Sequence, residues 1–302
     1  MIDSIKISNF RCFNETEISG FKQFNLFGGK NNSGKTTLLE AIYFGSSHRN
    51  SPGMAPNQYL RGLGDSNPMS NLKNIYSDSE DIRVEYKNND TSIFRAYQAH
   101  MYKQSKTAVD IIFSKSNNQT IPNELNIVQD FDKLSILGKD FELLKIAKIV
   151  DSSINHIRTY ASNPNFLYLK KEGGDQYHPL AYHGDAMNKL IKYVLLIFNC
   201  QEGAILLLDE IENGLHYTIH EEFIYSIIKL CNERQVQFFA TTHSKEFIQA
   251  FINVINDHPE LEEKSAYFEM AKHYKTNEII ASSIPLDALE IKLSQNKSFR
   301  GE

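Results

Sequence analysis

The segment FNLFGGKNNSGKTTLLEAI, residues 24–42, restricts the fold more than any other part of the chain. A short apolar run suited to a buried strand meets a loop of glycines and small polar residues. A helix-periodic run follows, with Leu38, Leu39 and Ile42 spaced along one face. Gly29 to Thr36 satisfies the phosphate-loop pattern G-x-x-x-x-G-K-[ST] in its required setting of strand, loop and helix. Glycines let the backbone curl so that successive N–H groups point inward, and the helix N-terminus adds partial positive charge. The loop therefore reads as a cradle for a nucleoside triphosphate, made by Gly29, Lys30, Asn31, Asn32, Ser33, Gly34, Lys35, Thr36 and Thr37. Lys35 is placed to reach the β- and γ-phosphates, and the Thr36 hydroxyl to ligate Mg²⁺.

Two later runs repeat the idea of a buried strand emptying into a site at its carboxyl end. GAILLLDEIENGLH, residues 203–216, is an apolar run ending in two acids. Asp209 is placed to hold Mg²⁺, directly or through water, and Glu210 to orient or deprotonate an attacking water. QVQFFATTHS, residues 235–244, ends in small polar residues and His243, which is set to contact a γ-phosphate or the same water. Between loop and acids, PLAYHGDAMNKLIKYVLLIFN opens a helix at Gly184-Asp185. Leu190, Ile191, Val194, Leu195 and Phe198 recur there at helical spacing, on a face expected to pack against the sheet. The free N–H groups at Gly184 suit an anion.

The totals bound the rest. At 302 residues and 41% hydrophobic, the chain can bury a sizeable core, and a net charge of −5 argues against coating nucleic acid through the overall field. Cys12, Cys200 and Cys231 lie far apart, so neither a disulfide framework nor a zinc site is expected. No signal-peptide profile or membrane-spanning apolar run is seen, and the chain reads as intracellular and cytoplasmic.

In order, IKISNFRCFNETEI, GKNNSGKTTLLEAI, HGDAMNKLI, LLLDEIENGLH and FFATTHSKEF resemble the ABC-type ATPases. The resemblance is to the branch containing the overcoming-lysogenization-defect (OLD) proteins, RecF and the SMC-type ATPases. Within it, the chain is similar to the stand-alone AAA_15/AAA_21 ATPases, many of which accompany phage-defence or toxin–antitoxin effectors. The resemblance implies Walker A roles for Lys35 and Thr36, a Walker B role for Asp209, the catalytic glutamate at Glu210 and the switch histidine at His243. Asn213, Gly214 and Leu215 match the loop that crosses to a partner subunit. His183, Gly184 and Asp185 match the signature segment, which binds the γ-phosphate of ATP held by the other subunit. Arg11 matches a basic position near nucleotide or nucleic acid. The implied active form is a head-to-tail homodimer with two sandwiched ATP molecules, acting on a separate effector, nuclease or toxin, in antiviral defence. Nucleic acid remains open as a partner, and membrane does not. The pattern departs from the family at His183, where serine is common. The glutamine loop is not placed either: Gln58, Gln98 and Gln104 are candidates without a convincing setting.

The expected fold is therefore an α/β P-loop NTPase. It has an ABC-ATPase-like mixed sheet with helices on both sides and an antiparallel N-terminal subdomain. One ATPase domain is expected over 1–302, with an α/β insertion at about 46–180 that could dock a partner. Within it, SSHRNSPGMAPNQ is turn-rich, DIRVEYKNNDTSIFRAYQAH (81–100) reads as a hairpin across Asn88-Asn89-Asp90, and 122–155 reads as mostly helical without heptads. KKEGG at 170–174 reads as a charged turn and not as a nucleic-acid patch. His216 and His220, one helical turn apart, read as a solvated helix face in preference to a metal pair. OLD nucleases carry clustered metal-binding acids in a TOPRIM domain; the tail here shows no such constellation, so no intrinsic nuclease activity is expected.

Overall fold

The computed structural model describes residues 1–46, 82–88, 91–98, 101–102, 111–114, 120–121, 126–276 and 278–294. Most of SSHRNSPGMAPNQ, with Gln58 and Gln104, lies outside them.

A seven-stranded mixed sheet runs β15-β14-β3-β13-β12-β7-β8. Its strands are β3 (Phe24–Gly29), β7 (Ile111–Ser114), β8 (Thr120–Ile121), β12 (Ile205–Leu208), β13 (Gln237–Thr241), β14 (Ser265–Lys272) and β15 (Ile279–Ile284). The five from β14 to β7 are parallel, and β15 and β8 close the two edges antiparallel. Continuous apolar runs are what a parallel sheet covered on both faces requires. Ile205 and Leu207 enter one core with Phe27, Phe239 and Phe268, whereas Leu206 and Leu208 enter the other with Leu26, Phe238 and Tyr267.

The first core lies between the mixed sheet and a five-stranded antiparallel sheet, ordered β2-β1-β4-β5-β6. That sheet comprises β1 (Ser4–Phe10), β2 (Phe13–Ser19), β4 (Ile82–Asn88), β5 (Thr91–Gln98) and β6 (Met101–Tyr102). The expected hairpin is β4–β5. Helix α1 (Lys35–Ser46) is held between the two sheets, with Leu38, Leu39 and Ile42 fully buried. Phe27 stacks on Phe268 at 5.0 Å, and Phe21 meets Phe27, Phe239 and Phe268 edge-on.

Against the opposite face lie α2 (Ile127–Ile136), α3 (Asp140–Val150), α4 (Gly184–Asn199), α5 (His220–Glu233), α6 (Lys245–Asp257) and the C-terminal α7 (Leu286–Ser294). Here α4 differs from the one-faced helix that its spacing predicts. Every residue from Lys189 to Phe198 is buried, because α2, α3 and α5 cover its outer side. A three-stranded antiparallel sheet, β9 (Ile154–Thr159), β10 (Leu167–Lys171) and β11 (Tyr177–Pro179), precedes α4 and leads into it through a 3₁₀ turn at Leu180–His183. The KKEGG run is thus corrected: Lys170 and Lys171 end strand β10, and the turn comes after them. Among the described residues no helix is long and apolar enough to cross a membrane.

Candidate nucleotide site

β3 delivers the phosphate loop to the carboxyl end of the parallel strands. At Gly29 the backbone has φ +135°, and a Cβ would stand 2.1 Å from the Met270 carbonyl oxygen, so only glycine lets the loop leave the sheet here. Asn32 (φ 61°) and Gly34 (φ 88°) add two further left-handed turns before α1. The Lys35 side chain folds back into the loop: Nζ donates to the carbonyls of Gly29 (2.9 Å) and Lys30 (2.8 Å) and to Ser33 Oγ (3.3 Å). Burial pushes its pKa down to about 8, against the pull of Asp209, Glu212 and Glu210. Lys30, Asn31, Asn32 and Thr36 face solvent, and Thr37 is half-buried.

β12 and β13 lie side by side, so their last residues share one rim. Asp209 is 4% exposed and accepts from two hydroxyls, Thr36 Oγ1 (3.0 and 3.2 Å) and Thr241 Oγ1 (2.8 Å). The structure thus joins the loop to the Asp-Glu strand. Thr36 hydroxyl and Asp209 carboxylate form an all-oxygen donor set, which fits a hard cation such as Mg²⁺.

Glu210 takes a left-handed backbone (φ 49°), which costs a non-glycine residue roughly 1–2 kcal/mol. Both of its main-chain polar groups are held by side chains: its N–H donates to Thr241 Oγ1 (2.8 Å), and its carbonyl accepts from Lys189 Nζ (2.8 Å). Lys189, 3% exposed, also donates to the Asn213 carbonyl (2.9 Å), and burial pushes its pKa down to about 8. The Glu210 carboxylate lies 3.6 Å from His243 Nε2 and accepts from Asn213 Nδ2 at 3.3 Å. Both Glu210 and His243 remain about one-third exposed, so water reaches the pair. The His243 N–H donates to Glu212 Oε1 (2.7 Å), and Ser244 caps α6 by accepting from the Phe247 N–H (3.1 Å).

At the start of α4, Gly184 has φ 78° and Gly184 and Asp185 are exposed. A Cβ on Gly214 would lie 3.3 Å from Asp185 Cβ, so the loop at 213–215 packs directly on the start of α4. Asn213 and Gly214 are exposed, and Leu215 is half-buried. His183 turns inward, its Nε2 enclosed with no hydrogen-bond partner among the described residues, and burial lowers its pKa. Arg11, also left-handed (φ 55°), forms a buried ion pair with Glu40 of α1. The structure also corrects the reading of His220. Its ring is buried (3% exposed) and meets Phe247 edge-on at 5.0 Å, while His216 stays in solvent. The four-residue spacing holds, but α6 covers that face.

Three supporting residues had no role in the sequence reading. Lys189 lies within an apolar helical run, Thr241 within a strand, and Glu212 two residues beyond the Asp-Glu pair. The sole local signal was the density of polar residues around DEIEN and TTHS.

The chain is similar to an ATP/GTP phosphatase of Helicobacter pylori, 24% identical over 330 residues, covering 85% of this chain and 89% of that protein. It is also similar to the DNA replication and repair protein RecF of Streptococcus thermophilus, 22% identical, covering 84% of this chain and 66% of that protein. In fold it resembles the Smc head domain derived from Pyrococcus furiosus, solved bound to the C-terminal domain of ScpA. That match has a TM-score of 0.60 at 12% identity and covers 98% and 99% of the two chains. The SMC head domain from Thermotoga maritima matches with a TM-score of 0.50 at 12% identity, covering 94% and 98%. Residues 1–136 and 132–248 match the AAA_15 family, AAA ATPase domain, and these stretches carry the phosphate loop, the Asp209-Glu210 rim and His243. The chain belongs to that ATPase family.

Proposed function

We propose that the chain binds ATP with Mg²⁺ at the phosphate loop and hydrolyses it when two copies close head to tail around two nucleotides. The observation that carries this reading is Glu210. Its backbone is clamped in a costly conformation by Thr241 and Lys189, and its carboxylate is set beside His243 on the rim that Thr36 and Asp209 share. Loop N–H groups and Lys35 hold the triphosphate. Thr36 and Asp209 would hold Mg²⁺, which when bound would supply charge neutralisation on the phosphates. In the transfer step the water oxygen bonds to the γ-phosphorus while its proton passes to Glu210. The bond from phosphorus to the β–γ bridging oxygen breaks, releasing ADP and phosphate. His243 contacts the γ-phosphate or the attacking water. His183, Gly184 and Asp185 meet the nucleotide of the partner subunit, and Asn213, Gly214 and Leu215 cross beside them. Turnover is slow because the closed state alone completes the site.

The test is a pair of variants. Lys35→Ala should lose ATP affinity and turnover; Glu210→Gln should keep affinity, lose turnover and accumulate an ATP-bound dimer on size exclusion. Retention of both affinity and turnover by the lysine variant would overturn the reading. A non-hydrolysing scaffold would instead leave Glu210→Gln indistinguishable from the parent.

The output we propose is a change of shape passed to a separate nuclease or toxin in antiphage defence, with the segment 46–180 as the docking part. This rests on the resemblance to stand-alone ATPases of that kind, and DNA cleavage by the purified protein with Mg²⁺ alone would contradict it. A second reading, a DNA-repair ATPase of RecF type, is favoured by the similarity to RecF. It requires ATP-dependent duplex binding that weakens steeply with salt.

A further inference from the structure

We propose that the outer face of the β9–β10–β11 sheet binds single-stranded nucleic acid, stacking bases on its tyrosines and holding phosphates with Arg158 and Lys170. The register puts these groups together: Tyr168 pairs with Arg158, and Lys170 pairs with both His156 and Tyr177. Side chains alternate across a strand, so these five share one face while Ile157, Leu167 and Leu169 turn into the core. Arg158 Cζ lies 3.9 Å from the Tyr160 ring centre and 4.8 Å from that of Tyr177, and Lys170 Nζ lies 5.6 Å from Tyr177.

Both cations lack a carboxylate partner among the described residues. Lys171, one position along β10 and on the other face, pairs with Asp151 at 2.8 Å. The strand thus neutralises one lysine and leaves its neighbour on the aromatic face available to an anion. A cavity of about 390 Å³ opens at the end of this face, lined by Tyr160, Asn163, Tyr168, Asp175, Gln176 and Tyr177. It has room for a nucleobase, aromatic walls to stack on, and amide and carboxylate groups to meet the edge of the base.

The charges discriminate among occupants. The space between Tyr160 and Tyr177 already holds a guanidinium, so a cationic guest would meet like charge. A planar base carrying a phosphate satisfies both the rings and the cations. In a duplex the bases are already stacked and cannot enter a slot between loops, which favours an unpaired strand. The chain as a whole carries −5, so attraction is local, confined to the phosphates that Arg158 and Lys170 can reach.

The inference does not depend on the nucleotide site, and its test is independent of ATP. Fluorescence anisotropy is measured with labelled single-stranded DNA and RNA of about 12 nucleotides, the matching duplex, AMP and an acidic peptide as competitor. Single strands should bind at least tenfold more tightly than duplex. The R158Q/K170Q double variant should lower the log–log salt slope by about 1.4, from two lost contacts at ~0.7 each. Tyr177→Ala should weaken binding roughly 5- to 150-fold, the loss of one stacked base. Both variants should keep the parent's ATP turnover in the absence of nucleic acid. Equal or tighter duplex binding, an unchanged slope, AMP matching the strand, or equal competition by the peptide would each overturn the assignment. A second measurement needs no variant: a photoreactive strand should crosslink to Tyr160, Tyr168 or Tyr177 in the unaltered protein, and adducts confined elsewhere would refute it.

Discussion

Replacing Lys189 with methionine keeps the aliphatic stem in its buried slot and removes the ammonium that grips the carbonyls of Glu210 (2.8 Å) and Asn213 (2.9 Å). Hydrogen bonds from a charged donor contribute about 1.5–3 kcal/mol each, but the same substitution relieves the burial of a charge. The net change in global stability should therefore be small, within about 2 kcal/mol. The catalytic effect is more specific. The Glu210 carbonyl keeps only the Asn213 N–H (3.0 Å) and its N–H keeps Thr241, so Glu210 is freer to relax out of the left-handed region. The cost of that region, roughly 1–2 kcal/mol, sets an upper bound of about 5- to 30-fold on the loss of the competent population. Steady-state phosphate release should show kcat lower by up to that factor with KM for ATP nearly unchanged, because the phosphate loop is untouched. The pH dependence supplies a second readout. Burial lowers the Lys189 pKa from its ordinary 10.5 to about 8, so between those values the unfolded chain binds the proton that the folded chain has released. Stability of the parent should thus rise with pH across about 8 to 10.5, and the methionine variant should rise less, isolating Lys189 from Lys35 and Lys192, which are lowered likewise. A folded methionine variant with unchanged kcat, or one whose loss is entirely in KM, would refute the positioning role.

Other outcomes follow from the same geometry. Glu210→Gln should lower kcat by about 10²–10⁴, the usual contribution of a general base, while isothermal titration shows ATP affinity preserved. Thr241→Val removes the hydroxyl that meets both Asp209 Oδ1 and the Glu210 N–H at 2.8 Å. It should lower stability by about 1–3 kcal/mol in urea titration and weaken the Mg²⁺ dependence of turnover. Gly29→Ala places a methyl 2.1 Å from the Met270 carbonyl oxygen in a backbone that disfavours it, and should abolish ATP binding with a melting transition clearly lowered.

Much of the nucleotide site was legible in the sequence because its parts are contiguous. A phosphate loop needs glycines at fixed spacing, and an acid at the end of an apolar run marks a parallel strand meeting its rim. In the structure Lys35, Thr36, Asp209, Glu210 and His243 come together around one rim. What escaped depends on distant parts of the chain. Lys189 reads as an ordinary helix lysine until α2, α3 and α5 are seen to bury α4 on every side. His220 reads as solvated until α6 brings Phe247 against it. Arg158, Lys170 and Tyr177 come from three strands, and only cross-strand register unites them. The order of the mixed sheet was hidden for the same reason, since β7 comes from a stretch with no recognisable chemistry yet pairs directly with β12.

The position of β3 has a consequence for biosynthesis. This early strand is flanked by β13 and β14, so Phe24 finds its hydrogen-bonded neighbours at Phe238 and Ser265, near the far end of the chain. Closing so long a loop is entropically costly and slow. A nascent chain that has already emitted its glycine-rich turn still lacks the walls that give the turn its shape. Competence to capture ATP should consequently arrive late during translation, in one step, and ribosome-stalled chains ending before β14 should bind no nucleotide.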